Sequence, residues 1–166
     1  EKSRRIAERF FQAFDLTGVR LLHCFLPIEK FNEIDTLLIF QRIWLEFPQI
    51  KTLVPRVNFQ TRKLDNLKFT SETNLVRNAW QIYEPTDDKL IETEKIDLVL
   101  APLLTFDKSG FRVGYGKGFY DKLFKNCRAD CIKIGLSYFP PVERIQDARD
   151  FDARLEFCIT PKEIFN

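Results

Sequence analysis

Short, largely apolar runs alternate along this chain with segments of helical periodicity, and this alternation restricts the fold most. Val19–Leu26, Ile96–Ala101 and Cys131–Leu136 are rich in strand-forming residues, as strands are when both faces of a sheet are covered. Because helical patterns stand between such runs, the strands are expected to pair in parallel. The sequence therefore predicts an α/β fold: one three-layer domain over residues 1–166, with a mostly parallel central sheet and helices on both faces.

Local signals predict the remaining elements. Residues 3–14 have an apolar spacing of four that is typical of an amphipathic helix. A second helix is expected from Ile34 to Phe47, with Asn32 as its N-cap and Asp35 in its first turn. Further predictions are a strand at Thr52–Val54 that ends at Pro55, a hairpin over 59–69, a surface loop over 84–95, a helix over Gly118–Lys125 and a strand at Phe157–Thr160.

Composition limits the partners. The 26 Lys+Arg nearly balance 24 Asp+Glu, whereas domains that bind nucleic acids usually carry a marked basic excess. No apolar stretch approaches the roughly 20 residues of a membrane span. The four cysteines, at positions 24, 127, 131 and 158, match no zinc spacing and are interpreted as free thiols of a reducing compartment. We expect a cytoplasmic monomer that acts on small molecules, without nucleic-acid or membrane partners.

The loop after the second apolar run concentrates groups that bind phosphate. Gly114, Gly116 and Gly118 alternate there, and such a loop can bring successive backbone N–H groups close to an anion. The helix expected to begin near Gly118 adds its own unpaired N–H groups and the positive end of its dipole. Arg112 and Lys117 add full positive charge within the same few residues. This convergence predicts a phosphate-binding site.

Asp121 turns that prediction toward a nucleotide with magnesium. A carboxylate beside phosphate repels it unless a cation lies between them, and magnesium commonly uses one or two carboxylates together with phosphate oxygens. Each feature alone has an ordinary alternative: glycines make tight turns, and Asp121 is also favourable at a helix start. The spacing fits neither a P-loop nor the dinucleotide fingerprint.

A long motif runs from the second apolar run through the glycine loop. It consists of Ile96-Asp97-Leu98-Val99-Leu100-Ala101-Pro102, Phe106-Asp107, Gly110 and Arg112-Val113-Gly114-Tyr115-Gly116-Lys117-Gly118-Phe119-Tyr120-Asp121. This motif resembles the signature of the 5-formyltetrahydrofolate cyclo-ligase family, also called methenyltetrahydrofolate synthetases. The resemblance continues, in the same order, through Glu33-Ile34-Asp35-Thr36, Pro55-Arg56, Trp80 to Pro85, and the acids Asp147 and Asp152 before Ile159-Thr160.

The resemblance implies an activity. The family uses ATP and magnesium to convert 5-formyltetrahydrofolate into 5,10-methenyltetrahydrofolate, with release of ADP and phosphate. The formyl oxygen is phosphorylated, N10 attacks the activated carbon, and phosphate leaves. This chemistry needs positioning and charge neutralisation rather than a protein nucleophile. Accordingly, the single histidine, His23, is expected to be a core or strand-edge residue.

The resemblance also implies site residues. The expected ATP contacts are Arg112, Gly114, Tyr115, Gly116, Lys117, Gly118, Phe119 and Tyr120, with Arg112 and Lys117 as the catalytic cations. The expected folate contacts are Phe31, Glu33, Arg56, Trp80 and Tyr120, and Phe106 is a further aromatic candidate to face a ring. Magnesium is expected at Asp121, with Asp147 as a second acid. For each aromatic residue the alternative is core packing, and for Arg56 it is a strand-end surface charge.

Three departures from the family pattern stand out. Because Glu1 aligns after an N-terminal segment whose Lys and Arg reach ATP, the chain is expected to lack that segment. Phe119 stands where the family often has Tyr, and a frequent Gln is not evident around Pro140-Pro141. Two other functions remain open. One is a non-catalytic nucleotide- or folate-binding member of the same fold, and the other is a sugar-phosphate or CoA-processing enzyme of similar architecture.

Overall fold

The computed structural model describes residues 1–79, 81–87, 89–146, 148 and 152–166. The helices are α1 (Lys2–Ala13), α2 (Leu37–Glu46) and α3 (Phe119–Asn126), with 3₁₀ turns at Glu29–Phe31 and Thr93–Lys95. The strands are β1 (Leu21–Cys24), β2 (Lys51–Asn58), β3 (Lys63–Phe69), β4 (Leu75–Arg77), β5 (Tyr83–Pro85), β6 (Leu90–Ile91), β7 (Leu98–Pro102), β8 (Thr105–Phe106), β9 (Arg112–Val113), β10 (Ile132–Leu136), β11 (Phe157–Ile159) and β12 (Ile164–Phe165).

One sheet organises the fold, with strand order β12-β11-β10-β7-β1-β2-β3-β6. The strands from β11 to β2 are parallel neighbours. The edge strands β12 and β6 are antiparallel to their neighbours, and so is β3. Helices α1 and α2 share one core cluster, and α3 belongs to a second. The predicted α/β fold, with a mostly parallel sheet between helical layers, is confirmed.

The central strand β7 shows why its sequence is apolar at every position. Leu98 and Leu100 pack into the cluster with α1 and α2, while Val99 and Ala101 pack into the cluster with α3. Successive strand residues point to opposite faces, and both faces are covered here. Fully burying a side chain the size of valine or leucine stabilises the fold by about 1.5–3 kcal/mol.

The connections create a topological switch point between β1 and β7, and the space between the two loops beyond it is called the crevice. These strands are neighbours, but α2 leads from β1 to β2 and α3 leads from β7 to β10 on opposite faces of the sheet. The chain therefore leaves two adjacent strands in opposite directions. In open α/β sheets ligands bind at such a switch point, beyond the carboxyl ends of the strands. Residues 25–36 and 103–118 form the two loops at this place.

Helix α2 begins later than predicted. It starts at Leu37 with Thr36 as its N-cap, so the prediction of Asn32 as N-cap is wrong. Asn32 has a φ of 49°, and Asp35 lies before the helix, where its Oδ1 accepts a hydrogen bond from Leu37 N at 3.2 Å. The Thr36 hydroxyl donates to Phe25 O at 2.6 Å, which ties the helix start to the end of β1.

Strand β2 continues beyond Pro55, contrary to the prediction that it ends there. Its parallel register with β1 stops at the pair His23–Leu53, whereas its pairing with β3 runs on to Asn58. Pro55 has no backbone N–H to donate. Because this position lies where β2 is no longer paired with β1, no hydrogen bond between strands is lost. The hairpin is therefore β2–β3, and the prediction of a hairpin confined to 59–69 is wrong. The predicted surface loop over 84–95 contains the edge strand β6.

Two further predictions concern thiols and membranes. Cys24, Cys127, Cys131 and Cys158 are all free, as predicted. Within the described ranges, no helix combines the length and the apolar character that a membrane span requires.

Candidate functional site

Asp107 shapes the loop that follows β7. Its side chain is buried. Its Oδ1 accepts hydrogen bonds from Ser109 N at 2.9 Å and Phe111 N at 3.0 Å, and its Oδ2 accepts one from Ile145 N at 3.0 Å. Because backbone groups occupy both carboxylate oxygens, Asp107 organises the hairpin β8–β9 and anchors the segment near residue 145.

The three alternating glycines differ in conformation. Gly116 and Gly118 have positive φ angles of 81° and 66°, which strongly favour glycine. Gly114 does not share this conformation. A Cβ added at any of the three meets no atom of the described residues within 4 Å. Gly118 is also the N-cap of α3, so an open stretch of backbone leads directly into the start of a helix, where anions bind favourably.

Arg112 is held in a defined orientation beside this helix start. Its side chain is only 5% exposed. Nη1 donates to Ala153 O at 2.9 Å, Nη2 donates to Asp121 Oδ1 at 3.0 Å, and Cζ lies 4.5 Å from the centroid of the Phe124 ring. Burial lowers the pKa of Arg112, and the Asp121 carboxylate opposes that shift. An arginine keeps its charge even so, and the site therefore has a fixed cation.

Asp121 lies in the first turn of α3, and its side chain is 38% exposed. The structure thus pairs the residue predicted to hold magnesium with Arg112, which is predicted to hold phosphate. No cluster of three or more His, Cys, Asp or Glu that suits a metal occurs among the described residues. The second predicted acid, Asp147, lies outside those residues. One carboxylate fits a magnesium ion that is held mainly by phosphate oxygens and water.

A hydrogen bond joins the two loops across the crevice. The hydroxyl of Tyr115 donates to Glu33 Oε1 at 2.7 Å, and Ile28 N donates to Oε2 at 2.8 Å. The ring of Tyr115 stacks on that of Phe31 with centroids 5.1 Å apart, and both rings are exposed. Burial raises the pKa of Glu33, although both hydrogen bonds oppose the shift. The predicted folate contacts Phe31 and Glu33 therefore meet a predicted ATP contact.

Tyr120 connects α3 to the sheet. Its hydroxyl lies 3.4 Å from Nε2 of His23, and the two rings meet edge to face. His23 is fully buried on β1, as predicted for a core residue. Burial lowers its pKa to about 4 and raises the pKa of Tyr120 well above its usual value. Local sequence does not indicate that His23 touches a predicted site residue, because the two are 97 positions apart.

Other residues of the predicted ATP set differ in exposure. Lys117 is exposed within the loop, where a mobile cation is accessible to a ligand. Phe119 is partly buried and packs against the core cluster of α3. Phe106, the additional aromatic candidate, is 1% exposed and lies edge-on to Phe165. Because its ring is enclosed in the core, the prediction that Phe106 faces a ligand ring is wrong.

Two expected folate contacts remain, and Arg56 is the one that the structure describes. Arg56 lies on β2, where Nη1 donates to Asp87 O at 3.2 Å and Nη2 lies 3.9 Å from Asp65 Oδ2. These contacts tie Arg56 to the neighbouring strand and the 84–95 segment. Trp80 lies outside the described residues.

Tyr138 links the N-terminal helix to the crevice. Its hydroxyl donates to Glu33 O at 3.2 Å and lies 2.8 Å from Ser3 Oγ. Ser3 Oγ in turn accepts a hydrogen bond from Asp35 N at 3.1 Å. Tyr138 and Ser3 could not be recognised from the sequence, since these contacts join residues far apart in the chain. Together they hold the Glu33 loop between α1 and the end of β10.

Comparison with known proteins points to one family. The model of the 5-formyltetrahydrofolate cyclo-ligase family matches residues 1–146. A 5-formyltetrahydrofolate cyclo-ligase of Mus musculus is 34% identical over 104 residues, which cover 58% of this chain and 50% of that protein. One of Haemophilus influenzae is 30% identical over 110 residues, covering 64% and 58%. The chain thus spans about half the length of the mouse protein and less than two thirds of the bacterial one.

Solved structures show the same fold. The NMR structure of Aquifex aeolicus 5,10-methenyltetrahydrofolate synthetase matches 99% of this chain and 80% of its own, with a TM-score of 0.80 and 24% identity. A 5,10-methenyltetrahydrofolate synthetase from Mycoplasma pneumoniae matches 97% and 85%, with a TM-score of 0.73 and 23% identity.

Proposed function

This chain belongs to the 5-formyltetrahydrofolate cyclo-ligase family, and from that membership we propose that it converts 5-formyltetrahydrofolate into 5,10-methenyltetrahydrofolate with ATP, releasing ADP and phosphate. One observation carries the proposal: the hydrogen bond from Tyr115 to Glu33, at 2.7 Å, joins the glycine loop to the loop after β1. A reaction between a nucleotide and a second substrate needs two binding regions that meet in this way.

The glycine loop supplies the ATP half. We assign the triphosphate to the backbone of 114–118 and the start of α3, with Phe119 and Tyr120 completing the contacts. Arg112 contributes a buried, oriented charge, and Lys117 contributes an exposed one. Phosphoryl transfer depends on such positioning and on neutralising the charge of the phosphate oxygens. Arg112 and Lys117 are therefore the proposed catalytic cations.

Magnesium belongs to the same half of the site. Asp121 would hold it, with Asp147 as a second proposed acid. When bound, the ion would neutralise charge on the phosphate oxygens. Arg112 orients Asp121 for this role through the hydrogen bond to Oδ1, and the Asp121 side chain remains partly exposed.

The loop after β1 supplies the folate half. Glu33 offers carboxylate oxygens to the N–H groups of a pterin, and Phe31 offers an exposed ring for stacking. Tyr120 lies on the boundary between the two halves, and Arg56 and Trp80 are proposed as outer contacts. Burial raises the pKa of Glu33. Its two hydrogen bonds within the protein therefore do not fully replace the hydration that the carboxylate loses. Ligand N–H donors would complete its hydrogen bonding.

The chemistry needs no protein nucleophile. The formyl oxygen attacks the γ-phosphorus and ADP leaves. N10 then attacks the activated carbon, the former formyl oxygen departs within phosphate, and the N10 proton leaves with that phosphate. The residues of this chain bind the two substrates, align the formyl oxygen with the phosphate, and neutralise charge. His23 is fully buried and burial lowers its pKa to about 4, so it is a weak and shielded base and is not assigned as a general base.

We also propose that the protein acts as a cytoplasmic monomer. Its four free cysteines agree with a reducing compartment. Light scattering of the purified protein tests the oligomeric state, and a mass equal to one chain is expected.

The decisive experiment incubates the full-length protein with ATP, magnesium and 5-formyltetrahydrofolate and follows the absorbance of the methenyl product. Product is expected to form in equal amount to ADP, and reactions without ATP serve as the control. A protein that binds ATP but forms no product contradicts the proposal. In that case calorimetry distinguishes the alternative of a non-catalytic member, for which folate binding is indifferent to ATP.

A further inference from the structure

A buried chain of polar side chains lies between α3 and the edge of the sheet. The hydroxyl of Tyr120 lies 3.4 Å from His23 Nε2, and His23 Nδ1 lies 3.0 Å from Asn66 Oδ1. The amide nitrogen of Asn66 donates to Ile91 O at 3.3 Å and to Thr93 Oγ1 at 3.0 Å. His23 and Asn66 are 0% and 2% exposed. The proposed reaction uses neither residue.

The partners of Asn66 determine which nitrogen of His23 carries the proton. Because the Asn66 nitrogen donates to two oxygens, its Oδ1 is the atom that faces His23. A carbonyl oxygen only accepts, so Nδ1 of His23 must be the N–H. In a neutral ring Nε2 then carries a lone pair. The Tyr120 hydroxyl is therefore the donor to Nε2.

We propose that His23 is a positioning residue of the folate site: its Nε2 lone pair holds the Tyr120 hydroxyl and thereby fixes the Tyr120 ring against the reduced pterin ring of the substrate. This inference rests on the proposed function, in which Tyr120 contacts the folate. His23 lies on β1, which leads directly into the loop that carries Glu33, so the hydrogen bond between His23 and Tyr120 joins Tyr120 to the strand that leads into the folate half.

The surroundings of His23 argue against simple space filling. The neighbouring core on this face contains Leu53, Val99 and Leu123, and an apolar residue would pack there without a desolvation cost. Burying an imidazole is unfavourable unless its nitrogens are hydrogen-bonded. Both nitrogens of His23 have partners, and one of these partners belongs to the proposed site. We therefore attribute the presence of a histidine at this position to its hydrogen bond with Tyr120.

Two substitutions of His23 separate the two hydrogen bonds. His23→Asn keeps a donor for Asn66 and removes the partner of Tyr120, whereas His23→Gln keeps an acceptor that reaches Tyr120 and gives up the bond to Asn66. We expect His23→Asn to raise the KM for 5-formyltetrahydrofolate about fivefold, as one neutral hydrogen bond would. Because the backbone of 114–118 holds most of the proposed ATP contacts, the KM for ATP should rise less than the folate KM, and His23→Gln should restore folate binding.

Tyr120→Phe completes the comparison. It should raise the folate KM to the same extent as His23→Asn, and the double variant should be no worse than either single one, because both remove the same interaction. Additive effects in the double variant, equal defects in His23→Asn and His23→Gln, or a selective rise in the KM for ATP would each overturn the proposal.

A measurement independent of turnover uses the fact that the chain has a single histidine. In the 15N-labelled protein one imidazole should be observed, protonated at Nδ1 and unprotonated at Nε2, and Tyr120→Phe should shift the Nε2 signal. The opposite tautomer overturns the proposal even in an active enzyme. If the expected tautomer is found but no turnover occurs, the proposed reaction is wrong and the positioning role is tested by binding alone. The variants are then compared by their dissociation constants for 5-formyltetrahydrofolate, and equal constants overturn the positioning role.

Discussion

Arg112 Nη2 donates to Asp121 Oδ1 across 3.0 Å, so the fixed cation and the acid at the helix start orient each other. Arg112 is almost fully buried while Asp121 is partly exposed. The pair is thus anchored on the arginine side and accessible on the carboxylate side. We expect a nucleotide with magnesium to meet both charges at once.

Asp121→Asn should lower turnover and shift the magnesium requirement to higher concentration. The loss in kcat/KM is expected to be at least about tenfold, as for groups that support a metal. The fold should survive, because the asparagine carbonyl still accepts from Arg112. A magnesium titration of turnover and a thermal melt measure the two effects.

Asp130→Asn is the matched control. Asp130 also pairs with an arginine, Arg128, at 2.7 Å, but it is exposed and lies beyond the other end of α3. Its replacement should change neither turnover nor the magnesium requirement. Wild-type turnover in Asp121→Asn would show that Asp121 serves only the helix start.

Gly114→Ala and Gly116→Ala should distinguish two roles of glycine in this loop, which are close approach to the ligand and a backbone conformation with positive φ. Gly116 has a φ of 81°, so alanine there should cost about 1–2 kcal/mol of stability. Gly114 lacks this conformation, and the added Cβ meets no described atom within 4 Å, so Gly114→Ala should melt like the wild type. Its methyl group should nevertheless raise the KM for ATP if the backbone approaches the phosphates. An unchanged KM for ATP would mean that the glycines only form a turn.

Glu33→Gln should stabilise the protein at neutral pH and weaken folate binding. Burial raises the pKa of Glu33 above 4.5, so the folded state binds its proton more tightly than the unfolded state does. Stability from this group is therefore fully present below pH 4.5 and is lost as pH rises through the folded pKa. Glutamine carries no charge, and the variant should gain melting temperature over the wild type only at the higher pH.

Melting curves at several pH values and the KM for 5-formyltetrahydrofolate measure this trade-off. Glu72→Gln, at an exposed position, is the control and should change neither quantity. A destabilised Glu33→Gln protein at pH 8 would contradict the assignment of Glu33 as a poorly solvated carboxylate.

His23 should make the protein less stable as the solution becomes acidic. Its pKa falls from 6.5 to about 4 on folding, so the unfolded state binds the proton more readily. The stability is complete above pH 6.5 and decreases as pH falls toward 4, by up to about 1.4 kcal/mol per pH unit and about 3 kcal/mol in all. Denaturant unfolding between pH 4.5 and 7.5 measures this. The His23→Leu variant should lack this loss of stability at low pH. If the wild type and the variant show the same dependence of stability on pH, His23 is not buried in its neutral form.

Elements with strong local signals were predicted well. The helix expected over 3–14 is Lys2–Ala13, and the helix expected over Gly118–Lys125 is Phe119–Asn126. Apolar periodicity and the conformational freedom of glycine depend on residues a few positions apart. The start of α2 was misplaced because the Thr36 hydroxyl bonds to Phe25 O at the end of β1. That contact depends on how the helix packs and not on its own composition.

The same division applies to the site. The local sequence was sufficient to place the glycine loop, its two cations and Asp121 at the start of a helix after a buried strand. Only the folded chain decided that Tyr115 bonds to Glu33, 82 positions away, and that Tyr120 reaches His23. A hydrogen bond requires atoms within about 3 Å of each other. For distant residues that distance is set by strand order, register and the side on which each helix crosses the sheet.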